Sequence, residues 1–295
     1  MTERTMRSWM FVPGNRDRFL AKAASSNADC VLLDLEDGVL PESKVQAREM
    51  VSAALHGEFR PMRFVRVNAS GTPWHLDDLV SVIASKPDGI CLPKCNTPKD
   101  VVELAARLDT LETVFGVVCG TTRIVGAIES PQGILNAPAI ALADPRLLGL
   151  MLGAEDLALE LGLGTAREAE AAQLIYPRSA LVIACAAAAV VSIDGVYPNL
   201  DDASGMAEDA LRARRLGFSA KSTFNPRQVA VINETFSPRA EELEYAEEVA
   251  WAFEEAERRG DASVAVRGQL VDRPIAMRAR RLLERAQAGP GGGQG

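Results

Sequence analysis

The feature that most constrains this chain is an alternation repeated eight times, in which a short apolar run closed by polar or turn residues is followed by a segment of helical periodicity. The runs are SWMFVPG (8–14), DCVLLDLED (29–37), RFVRVN (63–68), GICLPK (89–94), RIVGAIES (123–130), GLMLGAED (149–156), VVSIDGVY (190–197) and GFSAKSTFN (217–225). Between them lie segments such as RDRFLAKAASS, WHLDDLVSVIAS, TPKDVVELAARLDT, SALVIACAAAAV and DDASGMAEDALRARRL, whose apolar residues recur at helical spacing. Near-continuous apolar strands separated by helices predict a parallel sheet covered on its outer face. Eight such units predict an α/β fold of the closed (β/α)8 TIM-barrel type over residues 1–236. A doubly wound open sheet is the alternative.

The polar endings favour the barrel. In order they are Pro13-Gly14-Asn15, Glu36-Asp37, Arg66 and Asn68, Lys94, Glu129, Glu155-Asp156, Asp194, and Lys221 to Asn225. Catalytic groups of this fold sit at the C-terminal ends of its strands, so these side chains are expected to converge on one mouth. Beyond the eighth unit, PRAEELEYAEEVAWAFEEAERRG (238–260) reads as an amphipathic helix with Leu243, Ala246, Ala250 and Phe253 on one stripe. A hairpin around Gly268 and a basic helix should follow, giving a C-terminal helical extension at 237–288, and AGPGGGQG reads as a flexible tail over 289–295. The extension has three candidate uses: covering a neighbouring subunit, lidding the site, or simple packing.

Composition narrows the chemistry. With 40 acids against 32 bases, a net charge of -8 and no basic block, an electrostatic hold on nucleic acid or anionic lipid is disfavoured, which leaves small molecules as partners. No run reaches membrane-span length, and MTERTMRSWM lacks the apolar core of a signal peptide, so a cytoplasmic location is expected. Only two histidines, His56 and His75, are present, both in segments that read as helical and polar. That argues against a Ser-His-Asp triad or a His-ligated zinc centre. The five cysteines (Cys30, Cys91, Cys95, Cys119, Cys185) lie mostly inside apolar runs and read as reduced core residues; Cys95 could be a thiolate, but nothing supplies it a base.

A carboxylate at the end of a buried strand is costly unless it meets a cation or a donor, so Glu129 and Asp156 suggest a site built around positive charge. An oxygen-only pair suits Mg2+ (or Mn2+), which keeps several waters and leaves positions open to substrate oxygens. The competing reading is that either acid caps a helix or pairs with Arg66 or Lys94. Glu36 and Asp37 are further candidate catalytic acids, as acceptors for metal-bound water. Arg66 offers a fixed fork of donors to a carboxylate or to an oxyanion of the transition state, unless it is consumed by an ion pair with Glu36 or Asp37. Lys94 could be a Schiff-base nucleophile if burial lowered its pKa, or an electrostatic lysine. The turn PGNRDR sets Arg16 at a helix start, where backbone N–H groups can receive an anion, although a plain helix start fits it equally well.

With these residues in hand, the chain resembles the citrate lyase beta-subunit-like family of the HpcH/HpaI aldolase superfamily, which includes citryl-CoA, malyl-CoA and citramalyl-CoA lyases. The motifs that carry the resemblance are FVPGNRDRF, VLLDLEDGV, RVN, LPK, AIESPQGI, LGAEDLALELG, GFSAKSTFNPRQV and VDRPIAMRARRLL, in order along nearly the whole chain. The resemblance implies a Mg2+-dependent barrel enzyme that cleaves or forms a 3-hydroxyacyl-CoA, giving a 2-oxo acid and an acyl-CoA such as acetyl-CoA, as a homotrimer or hexamer. By position, Glu129 and Asp156 match the metal ligands and Arg66 with Glu129 the substrate-contacting pair. Asp272 of LVDRP stands where related lyases place an aspartate that acts as acid or base in a neighbouring subunit's site. The chain departs from the family at STFNPRQV, where relatives usually carry I-H-P-x-Q: Asn225 occupies the histidine position, a departure that bears on the substrate rather than on the fold or metal. A malyl-CoA-type thioesterase, a pyruvate aldolase without a CoA pocket, and a subunit acting on a carrier-bound acyl group are the alternative activities.

Overall fold

The computed structural model describes residues 5–164 and 172–288, so the tail expected at 289–295 lies outside the described residues. The chain divides into two compact units, Met6–Phe236 on the one hand and Met1–Thr5 with Ser237–Gly295 on the other.

In the first unit the strands are β1 (Ser8–Pro13), β2 (Cys30–Asp34), β3 (Met62–Arg66), β4 (Gly89–Leu92), β5 (Arg123–Ile128), β6 (Leu147–Leu152), β7 (Val191–Asp194) and β8 (Ala220–Thr223). They form a closed parallel barrel in sequence order. Closure is made by β1 on β8, with Ser8 opposite Lys221 and Met10 opposite Thr223, which excludes the open sheet. Successive side chains of a strand point to opposite faces. Trp9 and Phe11 of β1, with Cys30 and Leu32 of β2, therefore fill the barrel interior, while Met10, Val12, Val31 and Leu33 meet the helices outside. Because both faces of β2, β4, β5 and β6 are apolar, these strands read as nearly unbroken hydrophobic runs.

The helices of this unit are α1 (Asp17–Ala24), α2 (Lys44–Leu55), α3 (His75–Ile83), α4 (Pro98–Val114), α5 (Pro131–Ala141), α6 (Ala154–Glu160), α7 (Ile175–Ala188), α8 (Ala203–Leu216) and α9 (Val229–Thr235). Several begin on strong caps that also fix the loops at the barrel mouth. Thr97 and Asp100 form a capping box at α4, Ser130 accepts from the Gly133 N–H at α5, and Asp202 accepts from the Gly205 N–H at α8. One expectation is corrected here. The run GLMLGAED is not strand to its end: β6 stops at Leu152, and Glu155 and Asp156 belong to the first turn of α6 rather than to a strand ending.

The second unit contains α10 (Ala240–Arg259), the antiparallel pair β9 (Ser263–Val266) and β10 (Gln269–Asp272), and α11 (Arg273–Ala288). The hairpin turns through Arg267 and Gly268, both at positive φ (47° and 77°), as two-residue hairpin loops prefer. Ala246, Val249, Phe253 and Ala256 form the buried stripe of α10 and pack on Val266, Val271 and Ala276; Leu243 and Ala250, expected on that stripe, are only half-buried. Among the described residues, no helix is long and apolar enough to cross a membrane.

Candidate active site

At the C-terminal ends of β2 and β3 a carboxylate and a guanidinium lock together. Arg66 donates from Nε and Nη2 to Oδ1 and Oδ2 of Asp34, each at 2.7 Å. The same oxygens accept the N–H groups of Glu36 and Gly38 at 3.0 Å. A Cβ on Gly38 would lie 2.4 Å from Asp34 Oδ2, so only glycine lets this loop fold over the carboxylate. Asp34 was absent from the strand endings read off the sequence, yet strand alternation puts it on the same face as Glu36, a signal that finds it.

Arg66 also approaches Glu36 Oε2 at 3.1 Å, and its guanidinium lies over the Phe11 ring, 4.9 Å from the centroid. The ion pair considered for Arg66 therefore exists, with Asp34 as its main partner. Burial weakens the charge on Arg66, but Asp34, Glu36 and Glu129 outweigh it and hold its pKa above the usual arginine value. Burial pushes Glu36 upward against the opposing pull of Arg66 and Lys94.

Lys94 joins the cluster twice. Its Nζ lies 2.9 Å from Glu36 Oε1 and 4.0 Å from Asp37, a carboxylate more than half exposed at the rim. Its backbone has φ 52°, a left-handed conformation that costs a side-chain-bearing residue roughly 1–2 kcal/mol. That turn aims the Lys94 N–H at Glu129 Oε2, 3.0 Å away. Pairing with Glu36 raises the Lys94 pKa, the opposite of what a Schiff-base nucleophile needs. Lys44, missed by sequence reading, is a third cation: it is buried and donates to the carbonyls of Leu35 (2.8 Å) and Glu36 (2.6 Å).

Glu129 follows β5 and is 4 % exposed. A Cβ on Gly153 would stand 2.2 Å from Glu129 Cγ, so the glycine of LGAED makes the room this carboxylate occupies. Burial raises its pKa, the charges of Glu36 and Asp156 add to that, and Arg66 with the Lys94 N–H opposes it, leaving Glu129 pushed up to about 7. Asp156, half-buried on α6, is thus the neighbour whose charge Glu129 feels. Apart from Asp78, which also acts on Lys44 but is paired with Arg48 at 2.8 Å, five carboxylates (Asp34, Glu36, Asp37, Glu129, Asp156) face three cations (Lys44, Arg66, Lys94) when all are ionised. Two negative charges remain, the charge of one divalent cation. Among the described residues, no three His, Cys, Asp or Glu side chains converge as a closed metal cage. A pair of carboxylates fits a hard cation that keeps open positions.

The other expected site residues are placed differently. Arg16 is exposed as the N-cap of α1, and the nearby Gly14 N–H is spent on the Asp34 carbonyl at 2.8 Å. Asn68 and His75 are buried rather than on a polar surface: Asn68 donates to Asp78 (2.6 Å), and His75 Nδ1 lies 2.7 Å from the Asn68 carbonyl. Cys95 is buried and its thiol is pushed up to about 12, which makes it inert. Asp194 and Lys221 do converge, but on each other (2.7 Å) and on Arg178 and Asp209. Asn225 is buried in the turn after β8, where its amide accepts from Arg227 N–H (3.0 Å) and donates to the Leu200 carbonyl (3.2 Å). Asp272, in the second unit, accepts from the Ile275 N–H (3.2 Å) at the start of α11.

The profile of the HpcH/HpaI aldolase/citrate lyase family matches residues 7–226. The chain is 37% identical over 286 residues to the citrate lyase subunit beta of Escherichia coli, covering 96% of this chain and 94% of that one. It is 34% identical over 285 residues to a (3S)-malyl-CoA thioesterase of Cereibacter sphaeroides, covering 96% and 95%. Among solved structures it is similar to CitE from Mycobacterium tuberculosis in complex with magnesium, acetoacetate and coenzyme A, at TM-score 0.77 and 30% identity over 97% of this chain and 99% of that one. The chain belongs to the HpcH/HpaI aldolase/citrate lyase family.

Proposed function

We propose that this family member is a Mg2+-dependent carbon–carbon lyase that cleaves, or in reverse forms, a 3-hydroxyacyl-CoA of the citryl, malyl or citramalyl type. The observation that carries this reading is the surplus of two negative charges around Arg66, centred on the buried Glu129. Glu129 and Asp156 are the residues that would hold the cation, which supplies Lewis-acid polarisation of a hydroxy or oxo acid. The solved relative containing magnesium and coenzyme A supports both the ion and the thioester.

Each step falls to a residue of this chain. The substrate hydroxyl gives its proton to a carboxylate of the cluster; Glu36, whose own pKa is raised, is the candidate base. The carbinol carbon becomes a carbonyl as its bond to the acyl α-carbon breaks, and the electron pair passes to the thioester as an enolate. Arg66, held as a permanent cation, offsets charge on the substrate oxygen. Lys94 and Arg16 line the approach of the anionic substrate. Asp272, reaching the site from a neighbouring subunit of a homotrimer or hexamer, gives the enolate carbon its proton and yields acetyl-CoA from an acetyl-derived substrate.

The malyl-CoA thioesterase relative favours a second reading, in which the same pocket delivers water to the acyl carbon. One assay separates them: purified protein with Mg2+ and citryl-, malyl- or citramalyl-CoA, following 2-oxo acid and free thiol together. The lyase releases 2-oxo acid and acyl-CoA without free thiol; free thiol without new 2-oxo acid establishes the thioesterase. Asp156→Asn should abolish turnover. Asp272→Ala should cut it roughly hundredfold, the scale of a lost general acid, with Mg2+ binding retained; unchanged turnover would return the second unit to a packing role.

A further inference from the structure

On the β8 and β1 side of the mouth the wall is aromatic. Phe224, the first residue after β8, is 53% exposed, and its ring lies against Phe11 with centroids 4.9 Å apart and planes at 44°. Phe11 in turn carries the guanidinium of Arg66, so an unbroken path of contact runs from Arg66 through Phe11 to Phe224. The turn that presents Phe224 is fixed. The Asn225 N–H donates to Thr223 Oγ1 (2.9 Å), the Thr223 hydroxyl donates to Gln228 (2.5 Å), and the Asn225 amide ties the turn to Leu200 and Arg227. Phe224 and Asn225 thus act together, the asparagine holding the turn and the phenylalanine supplying an exposed apolar face.

Charge sharpens the reading. The fork of Arg66 is already engaged by Asp34 and Glu36, and Lys94 by Glu36. A divalent cation would balance the two surplus carboxylates, so the 2-oxo acid's own carboxylate already brings the cluster to one negative charge in excess. A second carboxylate on the substituent would meet the exposed ring of Phe224, while Arg66, which covers the face of the buried Phe11, is committed to Asp34 and Glu36.

Building on the lyase reading, we propose that Phe224 is a specificity-determining residue: with Phe11 it forms an apolar wall that accepts an uncharged alkyl substituent on the 2-oxo acid and rejects a carboxymethyl one. The test is equilibrium binding rather than turnover. Protein saturated with Mg2+ is titrated with 2-oxobutyrate and with oxaloacetate by ligand-observed NMR, which also registers any decarboxylation. The wild type should bind 2-oxobutyrate about tenfold more tightly, the scale set by pairing one small group correctly in a pocket. Phe224→Ala should weaken 2-oxobutyrate roughly fivefold by removing apolar contact, leave oxaloacetate within about twofold, and leave Mg2+ affinity unchanged; Phe224→Leu should recover most of the loss. Equal affinity for the two acids in the wild type, or an equal loss of both in Phe224→Ala, overturns the proposal while the lyase reading stands. Failure of both acids to bind the Mg2+-loaded protein also overturns the proposal, while the lyase reading stands or falls on 2-oxo acid release from the three CoA thioesters.

Discussion

At the ends of β7 and β8, Arg178 and Lys221 meet Asp194 and Asp209, whereas at the ends of β2 to β6, Lys44, Arg66 and Lys94 meet five carboxylates. Both groups belong to one barrel and both are dense with ion pairs, the first buried throughout and the second reaching the rim at Asp37 and Lys94. The first closes on itself. Arg178 forks onto Asp194 at 2.9 and 2.6 Å, and Lys221, fully buried, spends its ammonium on Asp194, Asp209 and the Gly195 carbonyl. Burial works against the charge of Asp194, yet Lys221 and Arg178 outweigh it and hold its pKa below the usual carboxylate range. In the second group the balance fails at Glu129, which rises to about 7. A self-neutralised network fastens a fold; an unbalanced one invites a cation.

The largest expected effect breaks the closed network. Lys221→Met leaves two buried carboxylates with a single guanidinium between them and should cost about 3–5 kcal/mol, read as a lowered denaturant midpoint. Glu129→Gln, equally buried, should leave the metal-free protein within about 1 kcal/mol of the wild type or more stable, because it removes an unbalanced charge. A large loss from Glu129→Gln would show that both networks serve the fold alone.

The pH dependence of stability should separate the two regions by sign. Glu129 has a folded pKa above its ordinary 4.5, so its contribution to metal-free stability is fully present below that value and is lost as pH rises through about 7. Asp194 is held below its ordinary 3.8, so its contribution is present above that value and is lost as pH falls through the folded pKa. Urea midpoints measured in chelator should therefore decline on the neutral side in a way that Glu129→Gln removes. They should also decline on the acid side, where Glu129→Gln changes nothing. A neutral-side decline that survives Glu129→Gln belongs to another group.

The smallest effect concerns the backbone at Lys94. Lys94→Gly keeps the N–H on Glu129 and relieves the positive φ, so stability should change by no more than about 1 kcal/mol while the ammonium on Glu36 is lost. Lys94→Ala loses the same ammonium and keeps the strain. A glycine variant less stable than the alanine variant would mean that φ at this position is not strained.

Sequence pattern made the barrel legible because most strands are apolar on both faces and each apolar run closes on polar or turn residues, so strand positions and the mouth could be read together. Glu129 and Arg66 were legible for the same reason. Asp156 was found by type but misplaced, since the chain turns at Gly153 into a helix before reaching it. Asp34 was overlooked beside the more conspicuous Glu36-Asp37, although alternation pointed to it. Lys44 could not have been read: it stands at the first position of α2 and its partners are backbone carbonyls, which leave no trace in side-chain spacing. Nor could spacing tell that Asp194 and Lys221 neutralise each other while Glu129 is left wanting, because that difference depends on Arg178 and Asp209 arriving from two helices.

The most direct test of the account is calorimetric titration of Mg2+ into metal-free protein near pH 6.5, in two buffers of different ionisation enthalpy. The expected result is one bound Mg2+ with proton release, because the ion displaces a proton from Glu129, and loss of that binding in both Glu129→Gln and Asp156→Asn. Undiminished Mg2+ binding in those two variants would contradict it.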